Sequence, residues 1–459
     1  MTDSGRGMGG RALQRLLGIV SMLLTGTLAS SLFSFAAQLL LARLLVPEAF
    51  GRIAALLAAI NFFTPVAAAG VNWFLLQAFG REGWGAMRWL RPSAVLVALT
   101  TGLSATGVGL YAMCSLDAAG PPVIAAAILI LAGQVAVELA SARLQLTGSF
   151  AGLPVWQSAT QAGRFVVLGV AALMPAPSST GVVVGYALVG LVTASGGALL
   201  LAGLWRRRVA LSGHGADPGP SALPAPSLAQ TAREAAPFAM VTMFYVLYFQ
   251  GAIVILEWMR GGEAAASYNA AFLVISAIAL IPNVVYMKLM MAPLCRWAVH
   301  DRPMFQAAFH VGLAAMALAG MGLFAVTAAT AHWLIPLMFG PRYAGAAPVL
   351  AILALGIPVR FVQMAYSSLF ISRENTARKA RYLGIAALAA TAASISLVPP
   401  LGIKGAAIAT VFAEAVLLAL HVNGAARFID GISIGDTARP AKLRHAARHL
   451  IAQAQHFRA

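Results

Sequence analysis

Charged residues are scarce in this chain. Asp, Glu, Lys and Arg make up 10% of its 459 residues, where a soluble domain carries about 25%. Hydrophobic residues reach 60%, so a water-facing shell cannot be built from this composition, and an ordinary globular enzyme or binding module is excluded. Cysteine is rarer still. Cys114 and Cys295 are the two present, and the topology derived below puts them on opposite sides of a membrane, too far apart to bridge. They provide neither a disulfide framework nor a metal site. Acid is the scarcer charge, with 14 Asp and Glu against 31 Lys and Arg, a net of +17. Long polar stretches are also missing, apart from residues 206–233.

What is present is apolar sequence in long runs. The stretches that carry no charged residue include Leu16 to Ala42, Pro92 to Leu116, Val182 to Trp205, Ala264 to Met287, Ala307 to Pro341 and Tyr382 to Ile403. Each exceeds the roughly 20 residues a helix needs to cross hydrocarbon. With the remaining apolar runs the sequence predicts twelve spans: 16–42, 50–79, 92–116, 121–142, 152–174, 182–205, 235–258, 264–292, 305–331, 345–371, 382–400 and 403–425. The first run follows Arg6, Arg11 and Arg15 but is far longer than the apolar core of a signal peptide, so it reads as a retained first span.

An even number of spans puts both termini on one side. On that side fall 24 of the 31 lysines and arginines; the opposite loops hold Arg43, Arg52, Arg260, Arg342 and Lys404. The positive-inside rule therefore places both termini in the cytoplasm. The basic charge is an orientation device facing anionic lipid, and nucleic acid is not among the expected partners.

The chain is expected to be two copies of one unit. LLLARLLVPEAFGRIAALL at Leu39–Leu57 and ILEWMRGGEAAASYNAAF at Ile255–Phe272 align Glu48 with Glu263 and Gly51 with Ala266, each turn leading into an apolar run. A second pair, PAPSSTGVVVGYA from Pro175 and VPPLGIKGAAIAT from Val398, aligns Gly181 with Gly405. The expected organisation is a cytoplasmic N-tail (1–15), a first six-helix bundle (16–205), a flexible cytoplasmic linker (206–233) and a second six-helix bundle (234–425). A cytoplasmic basic tail (426–459) follows. The linker is rich in Pro, Gly, Ser and Ala. In the tail, Leu443, Ala447, Leu450, Ala454 and Phe457 form one stripe with Lys442, Arg444, Arg448 and Arg458 off it, the pattern of a helix lying on a membrane. His445 and His449 belong to its solvated basic face. Two bundles enclosing a central cavity are the architecture of alternating-access transporters, and Pro65, Pro237, Pro282 and Pro358 inside spans mark bends.

Polar residues inside spans are costly unless paired or facing water. Gln134 and Glu138 share a face of the fourth span, and Gln157, Gln161 and Arg164 a face of the fifth. Glu138 and Arg164 lie at similar depth, so they are a candidate pair. In the second half Arg360 and Gln363 share a face of the tenth span, and Glu414 in the twelfth matches Arg360 in depth. Each pair reads either as a neutralised strut between helices or as part of a polar cavity that accepts an anionic group.

LARLLVPEAFG at the first hairpin, IPLMFGPRYAGAAPVLAILALG from Ile335 and SLVPPLGIKGAAIATVFAE from Ser396 resemble, in order, recurring sequences of the bacterial oligosaccharide and polysaccharide flippases. That family is a branch of the superfamily that also holds the multidrug and toxin exporters and the lipid II flippases. The resemblance covers Leu16 to Leu420, and Glu414 matches a position often acidic there. It implies an all-α polytopic fold of about twelve transmembrane helices in two homologous six-helix bundles around a central cavity, in the bacterial inner membrane. It also implies transport without a cofactor or catalytic site. The cargo would be a polyprenyl-pyrophosphate-linked oligosaccharide, turned from the cytoplasmic to the outer leaflet, with polysaccharide polymerase and export proteins as partners besides membrane lipid. The cavity residues would be Arg164, Glu138, Gln134, Gln161, Gln157, Gln250, Arg360, Gln363 and Glu414, in a net-positive cavity sheltering the pyrophosphate. In one departure, span seven has Gln250 and Ala252 where many relatives carry an Arg and an Asp, so ion coupling through that span loses its charge; Gln250 can still hydrogen-bond a sugar. A multidrug or other lipid exporter of the same fold is the alternative. A membrane glycosyltransferase or polymerase would need paired carboxylates on an outer loop, and the outer loops hold only isolated acids.

Overall fold

The computed structural model describes residues 25–428 apart from 27, 116–119, 150, 213, 216–218, 220–223, 284–296, 298–301 and 371–372. Among the described residues there is no strand. The helices are α1 (Leu28–Leu44), α2 (Pro47–Ala67), α3 (Val71–Glu82), α4 (Leu90–Ser115), α5 (Pro121–Leu146), α6 (Gly152–Ala172), α7 (Ser179–Trp205), α8 (Leu228–Arg260), α9 (Gly262–Ile278), α10 (Leu280–Asn283), α11 (Arg302–Phe339), α12 (Ala347–Ala354), α13 (Gly356–Ser367), α14 (Arg373–Leu401) and α15 (Ile403–Phe428). Every predicted apolar span is mostly helical over its described part, the second being interrupted at residues 68–70. Cys295, the N-terminal tail and the basic tail with its amphipathic stripe lie outside the described residues.

Among the described residues eight helical stretches are long and apolar enough to cross a membrane, or nine counting one bent pair. The figure of twelve is therefore approximate, and the difference has physical causes. The second and third spans run together as one helical stretch, Pro47–Cys114. The sixth helix, α6, carries Gln157, Gln161 and Arg164. The tenth span is bent by 41° between Pro341–Ala354 and Gly356–Phe370. Pro358 sits in the first turn after that bend and Pro282 in the short α10, whereas Pro237 lies inside α8, which continues through it.

The chain divides into two compact units, Met1–Gln250 with Gly261–Ala266, and Gly251–Arg260 with Ser267–Ala459. The division falls inside α8 and not in the linker. Within the first unit α5 and α7 cross with their backbones nearly touching. A Cβ added to Gly133 would lie 2.6 Å from the Cα of Gly190, and one added to Gly190 would lie 2.5 Å from the carbonyl oxygen of Leu129. Small residues allow such an approach where hydrocarbon surrounds the helices and gives no hydrophobic drive of its own.

Span two breaks between α2 and α3. Pro65 near the end of α2 lacks an N–H, and the chain then turns through Ala69 (φ 50°) and Gly70 (φ 69°). The carbonyl of Ala67 is taken up by the Thr100 hydroxyl of α4 at 2.7 Å. Gly70 is needed here twice over, because a left-handed φ disfavours a side chain and its Cβ would lie 2.5 Å from the Ala239 nitrogen of α8. Gly70→Val should therefore lower stability by about 2 kcal/mol or more, seen as a drop in melting temperature of the purified protein in detergent; an unchanged melting curve would contradict the backbone described here.

The linker has the composition of a flexible connection, and its described parts, though largely exposed, are tethered at several points. Leu211 is buried in a cluster with Phe74, Phe79, Trp84, Trp89 and Leu204. The Ser212 N–H donates to Leu146 O at 2.9 Å, the Trp84 indole to Gly215 O at 2.9 Å and Arg88 to Pro224 O at 3.2 Å. Arg88 also grips Glu82 through two nitrogens at 3.0 and 3.1 Å. Backbone hydrogen bonding of this kind does not depend on side-chain identity, which is why composition does not reveal it.

In the second unit Arg360 on α13 and Glu414 on α15 form an ion pair at 2.9 Å, with side chains only 8% and 5% exposed. Tyr268 on α9 shares a hydrogen bond of 2.8 Å with Thr410, one turn before Glu414. Arg260 ends α8 by donating to the carbonyls of Val398 and Pro399 at the end of α14, a favourable position for a cation beside a helix C-terminus.

Candidate functional site: a carboxamide-lined cavity

Break, packing and polar faces converge on one cavity that lies wholly within the first unit. It is lined by Asn61, Thr64, Pro65, Ala68, Gly70, Asn72, Gln134, Glu138, Ala239, Thr242, Val246 and Gln250 and has a volume of about 180 Å³. The helical period accounts for this set. Gln134 and Glu138 are one turn apart on α5, and Thr242, Val246 and Gln250 step along one face of α8. Asn61 and Thr64 come from the last two turns of α2, and Asn72 from the first turn of α3, so the helix break itself forms part of the wall.

The polar side chains bond to each other across helices. Gln134 donates through Nε2 to Asn61 Oδ1 at 3.2 Å, and Asn61 donates through Nδ2 to Gln250 Oε1 at 3.0 Å. This relay joins α5, α2 and α8. Separately, Asn72 Nδ2 donates to Glu138 Oε2 at 2.8 Å, and the Thr242 hydroxyl donates to Phe238 O at 3.1 Å. Carboxamides and hydroxyls both donate and accept, so the wall can follow a ligand rich in hydroxyl groups. Among the described lining residues the only ionisable side chain is Glu138.

The sequence-derived residues separate into three places. Gln134, Glu138 and Gln250 line the cavity. Gln157, Gln161 and Arg164 do not: Gln157 is exposed and reaches Ser141 Oγ at 3.5 Å, Gln161 is half-buried, and Arg164 is buried with its guanidinium over the Tyr186 ring, 5.3 Å from the centroid. Arg360, Gln363 and Glu414 are buried in the second unit.

One expectation is corrected. The Glu138 and Arg164 pair does not form, because the polar face of α5 meets α2 and α3 while Arg164 on α6 turns to Tyr186 on α7. Similar depth does not establish that two faces meet. Among the described residues, this cavity of the first unit is lined by one carboxyl and by no Lys, Arg or His. The Arg360 and Glu414 pair does form. Asn61, Thr64, Asn72 and Thr242 were not singled out in the sequence. The signal for the asparagines was present, as each is a polar residue in an uncharged apolar run, the same reason that singled out Gln134.

A second cavity, of about 240 Å³, lies at the N-terminal end of α2 beside Ser179 and Thr180. Its charged groups, Glu48 and Arg52, pair with each other one helical turn apart at 2.8 Å, and it contains none of the membrane-embedded polar residues.

Residues 17–290 match the sequence family described as polysaccharide biosynthesis protein. No curated protein matches the chain. The fold is similar to that of the lipid II flippase MurJ in its inward closed conformation, with TM-score 0.66 at 11% identity, covering 94% of this chain and 91% of that one. It is also similar to an inward-facing multidrug resistance transporter of the MATE family, with TM-score 0.61 at 13% identity, covering 89% and 97%. A MOP-superfamily transporter from Pyrococcus furiosus gives TM-score 0.59 at 15% identity, covering 90% and 94%. The molecule is thus a multi-pass membrane protein with the MOP-superfamily fold.

Proposed function

The chain belongs to the polysaccharide biosynthesis protein family, and from that membership we propose that it is a flippase for a polyprenyl-pyrophosphate-linked oligosaccharide. It carries the glycan from the cytoplasmic to the outer leaflet of a bacterial inner membrane, both termini lying in the cytoplasm, and delivers it to polymerase and export proteins. The observation that carries this reading is the cavity wall of Asn61, Asn72, Gln134, Gln250, Thr64 and Thr242, whose groups both donate and accept, as sugar hydroxyls do. The lipid tail needs no protein cavity, because it stays in hydrocarbon.

Cells lacking the gene should lose surface glycan and accumulate the lipid-linked precursor, with both reversed by the wild-type gene at matched membrane level. Loss of surface glycan without accumulated precursor would place the protein at another step. The second reading is an exporter of organic cations, favoured by Glu138 being the one ionisable side chain among the described residues of the cavity wall. Under that reading the deletion leaves surface glycan intact and sensitises cells to cationic compounds.

A further inference from the structure

We infer that the sugars received by this cavity are uncharged, so that the lipid-linked substrate presents neutral residues here and units bearing uronic or other acidic sugars are excluded. The inference rests on the flippase reading and narrows its substrate class. Three observations carry it.

Among the described residues the cavity offers no partner for an anion. Its twelve described lining residues include one carboxyl, Glu138, and no Lys, Arg or His. A buried carboxylate without a compensating cation is strongly disfavoured, and a second carboxyl close by adds to the cost. The penalty holds in either protonation state of Glu138, since neither form supplies positive charge.

Among the described residues the two buried arginines are committed elsewhere. Arg164 stacks on Tyr186, and Arg360 is paired with Glu414. Admitting an acidic sugar would mean breaking one of these arrangements and moving a guanidinium to another site. A neutral sugar needs no such change, because the second N–H of each carboxamide in the Gln134, Asn61 and Gln250 relay is not used by the relay bonds.

The cavity is also small. At about 180 Å³ it falls below the roughly 300–1,000 Å³ of pockets that enclose a drug-sized ligand. It therefore receives part of a larger substrate, and the pyrophosphate, which needs cations of its own, is not held by these residues.

The test uses the full-length protein in proteoliposomes with two lipid-linked disaccharides that differ only at C6 of one sugar, a hydroxymethyl group in one and a carboxylate in the other. Translocation is read as protection of the glycan from an added, membrane-impermeant glycosidase. The neutral compound should move at least about tenfold faster, the ratio set by about 1.4 kcal/mol. Gln250→Arg should shrink that ratio or reverse it by placing a cation in the wall, and Thr242→Lys, whose side chain is outside the relay, should do the same if Gln250→Arg inserts poorly. Equal rates for the two compounds, or a faster acidic one, would overturn the inference and leave the flippase reading standing. An unchanged ratio in both variants would also overturn it. If neither compound moves in the wild-type protein, the flippase reading fails and the inference with it.

Discussion

Glu414→Ala should leave most of the protein misfolded or aggregated on extraction from the membrane. In the intact protein Arg360 and Glu414 meet at 2.9 Å, both almost fully buried. Removing one member of a buried pair costs about 3–5 kcal/mol, because the remaining charge is still desolvated. Total stabilities of about 5–15 kcal/mol leave little margin for that loss. Glu414→Gln keeps an oxygen acceptor and should be milder. Arg360→Met combined with Glu414→Leu should recover most of the stability, since apolar groups of similar volume replace such pairs at little cost. Thermal aggregation in detergent, read by size-exclusion chromatography, measures all four proteins. A normal melting curve for Glu414→Ala would show that the pair does not hold α13 to α15. A double variant that is stable but does not export glycan would show that the pair also serves the substrate.

Asn61→Leu should reduce glycan export by about a hundredfold while leaving the protein in the membrane. Asn61 is the middle of the relay, accepting from Gln134 and donating to Gln250. Leucine has nearly the same shape and forms neither bond. A fully buried polar group left without a partner costs about 1–3 kcal/mol; the two glutamines are half-buried, so each loses part of that, and together they lose enough to move or to refill the cavity with each other's side chains. A hundredfold corresponds to about 2.7 kcal/mol. Asn61→Asp keeps the acceptor and loses the donor, so it should be less damaging for Gln134 than for Gln250. Surface glycan at matched membrane level is the readout. Export within a factor of two of wild type would mean that the relay is not part of the translocation path.

The helices were legible because an apolar run beyond the membrane thickness has one stable conformation in hydrocarbon, the one that satisfies its own backbone. Depth was legible for the same reason, as the rise along a helix is fixed. Azimuth was only half legible. The 3.6-residue period shows that Gln134 and Glu138 share a face, but α5 touches α2, α3, α4, α6 and α7, and nothing in the period says which neighbour that face meets. Matching by depth thus found Arg360 with Glu414 and wrongly joined Glu138 to Arg164. The same limit hid the partners of Asn61 and Asn72, which are 73 and 66 residues away. The tethering of the linker escaped notice because it rests largely on backbone carbonyls.

The 44 glycines look alike in the sequence, yet the close crossing of α5 and α7 divides them in a way that a genetic screen would detect. Gly133 and Gly190 face backbone atoms within 2.7 Å of where a side chain would begin, so every missense allele at those codons adds atoms where there is no room. Gly102, Gly169 and Gly322 face open space within 4 Å, and alleles there should accumulate freely. Among natural variants of this gene, polymorphism at glycine codons should therefore be found on the lipid-facing surfaces and be missing from the α5–α7 crossing.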